Sequence, residues 1–519
     1  MKKTSLLLVA LFLQVGYTAQ AQQEPVNLDI VNKIKKEGLE NSKVMETAFY
    51  LTDVNGSRLS GSTGLARANN WTKKQLTEWG LKNARLEEWG EFGKGWEFEK
   101  SYVAITAPYY QHLIATPKAW TPGTNGLQKG EAMLVTVEKE EDLAKYKGQL
   151  KGKIVLVSNP REATTTFEAD AKRYAEEDLA KIAEPPVAAP AGQNNNANSR
   201  REQYLAMMQL RTKVSDMLKA EGAAAVLSSR GGLHGTHYTS NGAPYAVDAP
   251  VALPELEMGT EDYNRLVRLL KAGQKVELEL ETKTKFLDSD LKGYNVLAEI
   301  PGTDRKLKDE VVLIGGHIDS WHASTGATDN AAGVAVMMEA MRILQATGIK
   351  PKRTIRIALW GAEEQGLHGS RGYVKKNLGD PATMKLTKAH EKFSAYYNLD
   401  NGTGKIRGIY TQGNEQVAPT FEAWLAPFHE MGAKTVTLKN TGGTDHLSFD
   451  AVGLPGFQFI QDEIDYDTRT HHTNQDSYDR LQADDLKQAS VIVASFIYHT
   501  AMRDKKLPRK PLPAPKPAL

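Results

Sequence analysis

Strand-forming and helix-forming segments alternate along the chain from residue 293 onward. The pattern predicts a buried strand at residues 311–314, a helix at 334–344, and two further strands at 354–360 and 393–399. This alternation favours an α/β fold in which a mostly parallel sheet is covered by helices on both faces, giving three layers. In such sheets the ligand-binding crevice lies beyond the carboxyl ends of the strands. The residues that follow each strand are therefore the candidates for function.

The segments that follow these strands are rich in acids and imidazoles. The residues concerned are His317 and Asp319 in GGHIDSW, Asp329 in GATDN, Glu363 and Glu364 in GAEEQG, Asp400 in NLDNG, and His471, His472 and Asp476 in THHTNQDS. If they meet at one edge of the sheet, their charges repel one another unless cations neutralise them. The pattern therefore predicts a site for two divalent ions.

The composition limits which ions fit. The chain has 519 residues and no Cys, which excludes a thiol nucleophile, a disulfide framework and a thiolate metal site. Imidazoles and carboxylates remain as ligands, so we predict two zinc ions, with cobalt or manganese as alternatives. Two ions about 3.5–4 Å apart activate a water and polarise the carbonyl that it attacks. The sequence thus predicts hydrolysis of an unreactive carbonyl.

As a set, these motifs resemble those of a known family. The motifs are HID at 317–319, Asp329 twelve residues beyond His317, the pair Glu363-Glu364 in GAEEQGLHGS, Asp400 in NLD, and His472 four residues before Asp476. They are similar to the di-zinc exopeptidases of peptidase family M28, over residues 293–500 as a catalytic core and 56–71 as an N-terminal piece. The HIDSW context and the double histidine look closest to the carboxypeptidase Q (plasma glutamate carboxypeptidase) branch of that family.

The resemblance implies a ligand set. His317 and Asp400 would bind one zinc ion, Glu364 and His472 would bind the other, and Asp329 would bridge both. The peptide bond would then be hydrolysed by a water bridging the two ions.

The resemblance also implies roles for residues that do not bind metal. Glu363, beside Glu364, suits a general base that takes a proton from the bridging water and passes it to the departing amine. Asp319 and Asp476 would each fix the tautomer of a ligand histidine and raise its basicity.

Two further residues are candidates for contact with substrate. His471 stands where many family members have Tyr, whose hydroxyl donates to the tetrahedral oxyanion, and an imidazole N–H could serve the same purpose. Asp445, in GGTDHLSF, matches a family loop near the substrate and could bind a substrate amine or hold a turn.

Several of these positions also fit ordinary structural roles. Asp319 could cap the following turn, and Asp329 could be the N-cap of the helix that ends near residue 344. The pair Glu363 and Glu364 could lie in a solvated first helical turn. A lone histidine near a motif is usually structural, and the histidines concerned are His322, His368 and His446.

The region before residue 293 predicts an exported protein with an inserted unit. We predict a signal peptide at residues 1–21, because two lysines precede a short apolar run and small residues. The remaining predicted parts are an N-terminal part of the peptidase domain at 22–119, an inserted β-rich domain at 120–285, the catalytic domain at 286–504, and a Pro-rich basic tail at 505–519 expected to be disordered.

Three features of the inserted region complete this description. The insertion resembles the protease-associated domain that many M28 members carry. A low-complexity stretch at residues 184–199 is expected to form a solvated loop. His234 and His237 in GGLHGTHYT are expected to lie in a loop and not to bind metal.

Together these features predict a periplasmic or secreted peptidase acting on peptides. An aminopeptidase is the first choice, and a carboxypeptidase or dipeptidase of the same fold is the alternative, because the ligand set does not fix which end of the peptide enters. A catalytically silent binding protein is the alternative of another class. With 65 Lys+Arg against 63 Asp+Glu, no nucleic-acid partner is expected, and no apolar run predicts a transmembrane segment. Monomer and homodimer both remain open.

Overall fold

A computed structural model of the chain describes residues 24–186 and 194–515. The predicted signal peptide at 1–21 lies outside the described residues, as do parts of the low-complexity stretch and of the tail. Among the helices of the described part, none combines the length and apolar character that crossing a bilayer requires.

The described residues form twelve α-helices and eighteen strands, joined in places by short π- and 3₁₀-helical turns. The helices are α1 (Leu28–Glu40), α2 (Val44–Phe49), α3 (Thr63–Glu78), α4 (Glu176–Ala183), α5 (Asn194–Ala220), α6 (Thr260–Lys271), α7 (Ala332–Ala346), α8 (His368–Asn377), α9 (Lys388–Lys392), α10 (Ala418–Leu425), α11 (His446–Asp450) and α12 (Ala483–Met502). The strands are β1 (Lys82–Glu91), β2 (Gly95–Ala107), β3 (Gln111–His112), β4 (Ala115–Pro117), β5 (Gln128–Leu134), β6 (Ile154–Leu156), β7 (Ala225–Ser228), β8 (Glu255–Met258), β9 (Glu277–Leu287), β10 (Lys292–Ile300), β11 (Val311–His317), β12 (Thr354–Trp360), β13 (Gly379–Asp380), β14 (Lys385–Leu386), β15 (Phe393–Asn398), β16 (Ile406–Tyr410), β17 (Thr435–Thr437) and β18 (Gly456–Gln461).

One unit carries the predicted catalytic residues and is called the catalytic unit. It is built on an eight-stranded sheet in the order β1-β10-β12-β11-β15-β18-β16-β17. Its four central strands, β12, β11, β15 and β18, run parallel, which confirms the predicted α/β class. The pairs β1–β10, β10–β12 and β16–β18 are antiparallel and the outer pair β16–β17 is parallel, so the sheet is mixed with parallel pairs in the majority. At the β1 flank the reason is that the chain leaves for the second unit at the end of β1 and returns at the start of β10, where Glu91 pairs with Lys292.

Alternating residues of the central strands pack against helices on opposite faces. Val312 and Ile314 of β11 join a buried cluster with α1, α7 and α12. Leu313, between them, points to the other face and joins a cluster with α8 and α11. Because successive side chains of a strand point to opposite faces, this is the three-layer arrangement that the sequence predicts.

A second eight-stranded sheet, in the order β3-β2-β9-β5-β6-β7-β8-β4, forms the unit inserted between β1 and β10. This sheet begins at Gly95, upstream of the predicted boundary at 120, because β2 pairs with β9 along its length. Its core includes Ile154, Leu227, Leu256 and Leu278. The assignment of this unit to the protease-associated class stays a prediction.

The C-terminal tail is packed where the structure describes it. Leu507 is 2% exposed and joins the core of the catalytic unit. The guanidinium of Arg509 donates to the main-chain oxygens of His390 and Phe393, at 2.8 and 2.6 Å. The expectation of a disordered tail is therefore wrong for these residues, because a buried leucine and a bound guanidinium hold them in place.

Candidate active site

The first cluster residue, His317, ends the central strand β11 and is 1% exposed. Its Nδ1–H donates to the main-chain oxygen of Asp319 at 3.0 Å, so Nε2 is the ring nitrogen that faces the other acids of the cluster. Nε2 lies 3.2 Å from Oδ1 of Asp329 and 3.2 Å from Oδ1 of Asp400. The structure thus brings these three residues together although they are far apart in sequence.

Asp329 lies in a π-helical turn, Ala327–Ala331, that leads into α7. The carboxylate of Asp476 accepts the main-chain N–H groups of Thr328 and Asp329, at 2.6 and 3.1 Å. Asp476 therefore holds the turn that carries Asp329. This differs from the expected role, in which Asp476 would fix a histidine tautomer.

Glu363 and Glu364 follow the end of β12. The main-chain N–H groups of Glu363 and Glu364 donate to the two carboxylate oxygens of Asp319, at 3.1 and 3.2 Å. Asp319 consequently has two functions: its main-chain oxygen fixes the tautomer of His317, and its carboxylate orients the glutamate pair. The expectation for Asp319 named the first of these functions only.

The two adjacent histidines complete the cluster from a late loop. Nε2 of His472 lies 2.8 Å from Oε2 of Glu364 and 3.3 Å from Oδ2 of Asp329. Nε2 of His471 is 3.9 Å from the same Asp329 oxygen, and its ring stacks on Tyr466 with the centroids 4.7 Å apart. His471 is thus close enough to Asp329 and His472 to be a potential metal ligand, which the predicted ligand set does not include, and its function as an oxyanion donor stays a prediction.

The cluster has the geometry of a metal centre. Among the described residues, one group with ligand atoms within 4.8 Å of one another is His317, Asp329 and Asp400, and another is Asp329, His471 and His472. Both groups share Asp329, the predicted bridge. In the described part of the chain, Oδ2 of Asp329 and Oε1 of Glu364 are buried without a hydrogen-bond partner, which fits oxygens arranged around a cation. The nitrogen and oxygen donor set suits zinc.

The electrostatics of the cluster also favour cations. Burial raises the pKa of Glu363 well above its usual value, and Asp400 reinforces this while His317 opposes it. Burial and the neighbouring Asp329 raise the pKa of Glu364 to about 7, although His472 opposes the shift. Burial would lower the pKa of His472, but Glu364 and Asp329 raise it to about 11. Burial thus favours the uncharged forms of Glu363 and Glu364, whereas a cation beside them would favour the ionised forms.

Asp445, at the start of α11, is fully buried, and neither carboxylate oxygen has a hydrogen-bond partner among the described residues. Burial raises its pKa to about 7, and Asp400 adds to the shift. Binding of a substrate amine by this carboxylate stays a prediction.

The other histidines near the motifs make structural contacts. The rings of His322 and His446 bond to the main-chain oxygens of Pro117 and Thr441, at 2.7 and 3.2 Å. His368 bonds to the hydroxyl of Tyr245 in the second unit at 3.1 Å. In the second unit, His234 and His237 lie in a loop, as expected, and neither belongs to a group of potential metal ligands in the described part of the chain.

Arg58 is a supporting residue that the sequence analysis missed, although it lies in the N-terminal piece at 56–71. Its fully buried guanidinium donates to the main-chain oxygens of Leu51, Ile318, Thr325 and Gly326, at 2.5–3.0 Å. Three of these oxygens belong to the loop between β11 and α7. A lone arginine among small polar residues was the only available signal.

Replacing Arg58 should destabilise the loop that carries Asp329. We expect Arg58→Met to lower the free energy of unfolding by about 3 kcal/mol or more, because buried main-chain oxygens lose charged donors. Guanidinium denaturation measures this change. The control, Arg305→Met at an exposed position, should stay within about 0.5 kcal/mol of the wild type. Equal stability of the two variants would contradict this function of Arg58.

The fold and the cluster together define a class of protein. Imidazoles and carboxylates gathered at the carboxyl ends of an α/β sheet, beside a small pocket lined by Asp329, Glu364 and His472, are typical of a metal-dependent hydrolase. Residues 295–497 match the family model for Peptidase family M28. This match places an M28 peptidase domain at residues 295–497.

Known relatives cover nearly the whole chain. Carboxypeptidase Q of Mus musculus is 25% identical over 493 residues, which cover 94% of this chain and 92% of that protein. The structure of a peptidase M28 precursor from Shewanella amazonensis has a TM-score of 0.66 at 23% identity, covering 94% of this chain and 98% of that one. The structure of BSAP, a zinc aminopeptidase from Bacillus subtilis, has a TM-score of 0.55 at 19% identity, covering 89% of this chain and 95% of that one. The two structures share the fold.

Proposed function

We propose that this protein is an exported, two-zinc exopeptidase that removes residues from the N-terminus of peptides. The observation that carries the aminopeptidase assignment is Asp445, a fully buried carboxylate outside the proposed zinc-ligand set, with no hydrogen-bond partner among the described residues. Burial and the nearby charge of Asp400 raise the pKa of Asp445 to about 7. A carboxylate without a partner beside the site can pair with the α-ammonium group of a substrate, whereas none of the described residues that line the cavity is a Lys or Arg that could bind an α-carboxylate.

His317 and Asp400 would hold one zinc ion, Glu364 and His472 the other, with Asp329 shared. Zinc, when bound, supplies a Lewis acid that polarises the scissile carbonyl and lowers the pKa of water. Two observations support this assignment: Asp329 belongs both to the group with His317 and Asp400 and to the group with His471 and His472, and Oε2 of Glu364 lies 2.8 Å from Nε2 of His472.

Glu363 would be the general base. It accepts a proton from the attacking water and delivers that proton to the nitrogen of the departing residue, so that the amide bond breaks as an amine leaves. The two N–H···O bonds from the glutamate pair to Asp319 support this function, because they fix the turn that carries Glu363. A silent binding protein has no need of such a base beside a complete ligand set.

A carboxypeptidase is the second candidate, favoured by one observation. The relative from Mus musculus, 92% of whose length is matched by this chain, is named Carboxypeptidase Q. Export rests on the predicted signal peptide at residues 1–21.

A panel of end-blocked tripeptides tests the assignment. We expect N-acetylation to lower kcat/KM by at least about 100-fold, because it removes the charge that Asp445 would bind, whereas C-terminal amidation should have little effect. Liquid chromatography of the products identifies the residue released. Chelation should abolish turnover and added zinc should restore it, and release of the C-terminal residue from the acetylated peptide would favour the carboxypeptidase instead.

A further inference from the structure

A loop of the second unit is hydrogen-bonded to the segment that carries His472. The main-chain N–H of Thr239 donates to the main-chain oxygen of His472 at 2.8 Å, and its hydroxyl donates to the same oxygen at 3.2 Å. Tyr238 and Thr473 form an isolated antiparallel bridge beside these bonds. Within the described residues, Thr239 makes both of the hydrogen bonds to that oxygen.

Asn474 fastens the same loop from the side of the catalytic unit. Its side-chain oxygen accepts the N–H of His237 at 2.9 Å, and its side-chain amide donates to the main-chain oxygen of Gly235 at 3.1 Å. Its main-chain N–H also donates to the oxygen of His237 at 3.2 Å. One asparagine therefore joins two units of the fold through three hydrogen bonds.

The loop has its own anchor within the second unit. The ring of His237 is 1% exposed and bonds through Nε2 to the hydroxyl of Thr116, in β4, at 2.9 Å. The position of the loop is thus set by the second sheet.

His472 needs such support because of its backbone. Its φ angle is +58°, in the left-handed region that non-glycine residues rarely adopt and that surrounding contacts must maintain. The ligands of the other half are held by residues of the catalytic unit: His317 bonds to the main-chain oxygen of Asp319, and the main-chain oxygen of Asp400 accepts from Gln458. The second unit reaches the segment of that half through His322, five residues beyond His317, whose ring bonds to the main-chain oxygen of Pro117.

We propose that the loop at residues 235–239 of the second unit is a positioning element for the Glu364–His472 half of the metal centre. This inference rests on the proposed function, which assigns His472 as a ligand. The proposal gives the inserted unit a function. By holding the main chain of His472, the loop would set the affinity for the zinc ion bound there, whereas residues of the catalytic unit would hold the other zinc ion. Thr239 and Asn474 are positioning residues and touch no reacting atom.

Titration of the zinc-free, full-length protein with Zn²⁺ by calorimetry tests the proposal. Reference variants His317→Ala and His472→Ala assign each binding step to one half of the site. We expect Asn474→Ala to weaken the step assigned to His472 by about 10–100-fold and to leave the other step within about twofold, as for other residues that orient a ligand. Asn440→Ala, at an exposed position, is the matched control.

Two variants of Thr239 make a smaller change, because they alter one side chain by no more than a hydroxyl or a methyl group. Thr239→Val keeps the shape of the side chain and loses the hydroxyl, so it should weaken the same step, and Thr239→Ser should restore it. Equal weakening of both steps, or unchanged affinity in both, would overturn the proposal. A wild-type chain that binds no zinc would instead overturn the proposed function, so the two failures are distinguishable.

Discussion

Glu363→Gln should lower kcat by about 10³–10⁴-fold while the protein keeps its metal. The amide has nearly the shape of the carboxylate but cannot accept the proton of the attacking water. The N–H···O bonds to Asp319 come from the main chain and remain in the variant. The turn should therefore stay in place, and the loss should appear in kcat with little change in KM.

Metal analysis and steady-state kinetics on the same preparation check this prediction. The matched control is Glu430→Gln, an exposed position on the catalytic unit that should keep wild-type activity and metal content. A Glu363→Gln protein with near-normal turnover would mean that another group is the base. Loss of metal in that variant would instead make Glu363 a ligand.

The proximity of His317 and Asp400 could be predicted from the sequence by one topological rule, whereas their function as metal ligands is implied only by the family resemblance. His317 and Asp400 follow strands that prove to be parallel neighbours, β11 and β15, so their side chains emerge at one edge of the sheet. Neither residue has to be recognised from local contacts, because the strand that precedes it fixes its position. Once the parallel strands are recognised, the residues that follow them can therefore be predicted to lie close together.

The functions of the supporting residues could not be read in the same way. Asp319 and Asp476 were expected to bind histidines, yet both carboxylates accept main-chain N–H groups of neighbouring turns. Which groups a carboxylate meets depends on backbone that folds in from other segments. A main-chain donor leaves no signal in the sequence because every residue but proline has one.

The contribution of the second unit to the site could not be predicted from the sequence either. Thr239 and Asn474 are ordinary loop residues, and only the packing of two separate sheets brings them together. The boundary at 120 was misplaced for a similar reason, since β2 continues the chain directly after β1 and changes sheet within a few residues. Three glycines, Gly90, Gly93 and Gly95, mark a turn at that point, but a turn does not show that the chain enters another sheet.

The second large effect is expected at the shared residue: Asp329→Asn should remove both ions at once and lower kcat/KM by about 10³-fold or more. Oδ1 of Asp329 faces His317 and Oδ2 faces His472, each within 3.3 Å, so loss of this charge affects both halves of the site. The asparagine has the same volume, and the main-chain bonds to Asp476 do not involve the altered side chain.

The zinc-free Asp329→Asn protein should consequently fold, and its melting temperature should match that of the zinc-free wild type. Zinc should raise the melting temperature of the wild type and not that of the variant, because a ligand stabilises only the state that binds it. The control, Asp467→Asn, lies exposed in the turn that precedes the double histidine and should keep both ions. An Asp329→Asn protein that retained one ion at wild-type affinity would show that the two halves are independent, and the shared carboxylate would then not be the bridge.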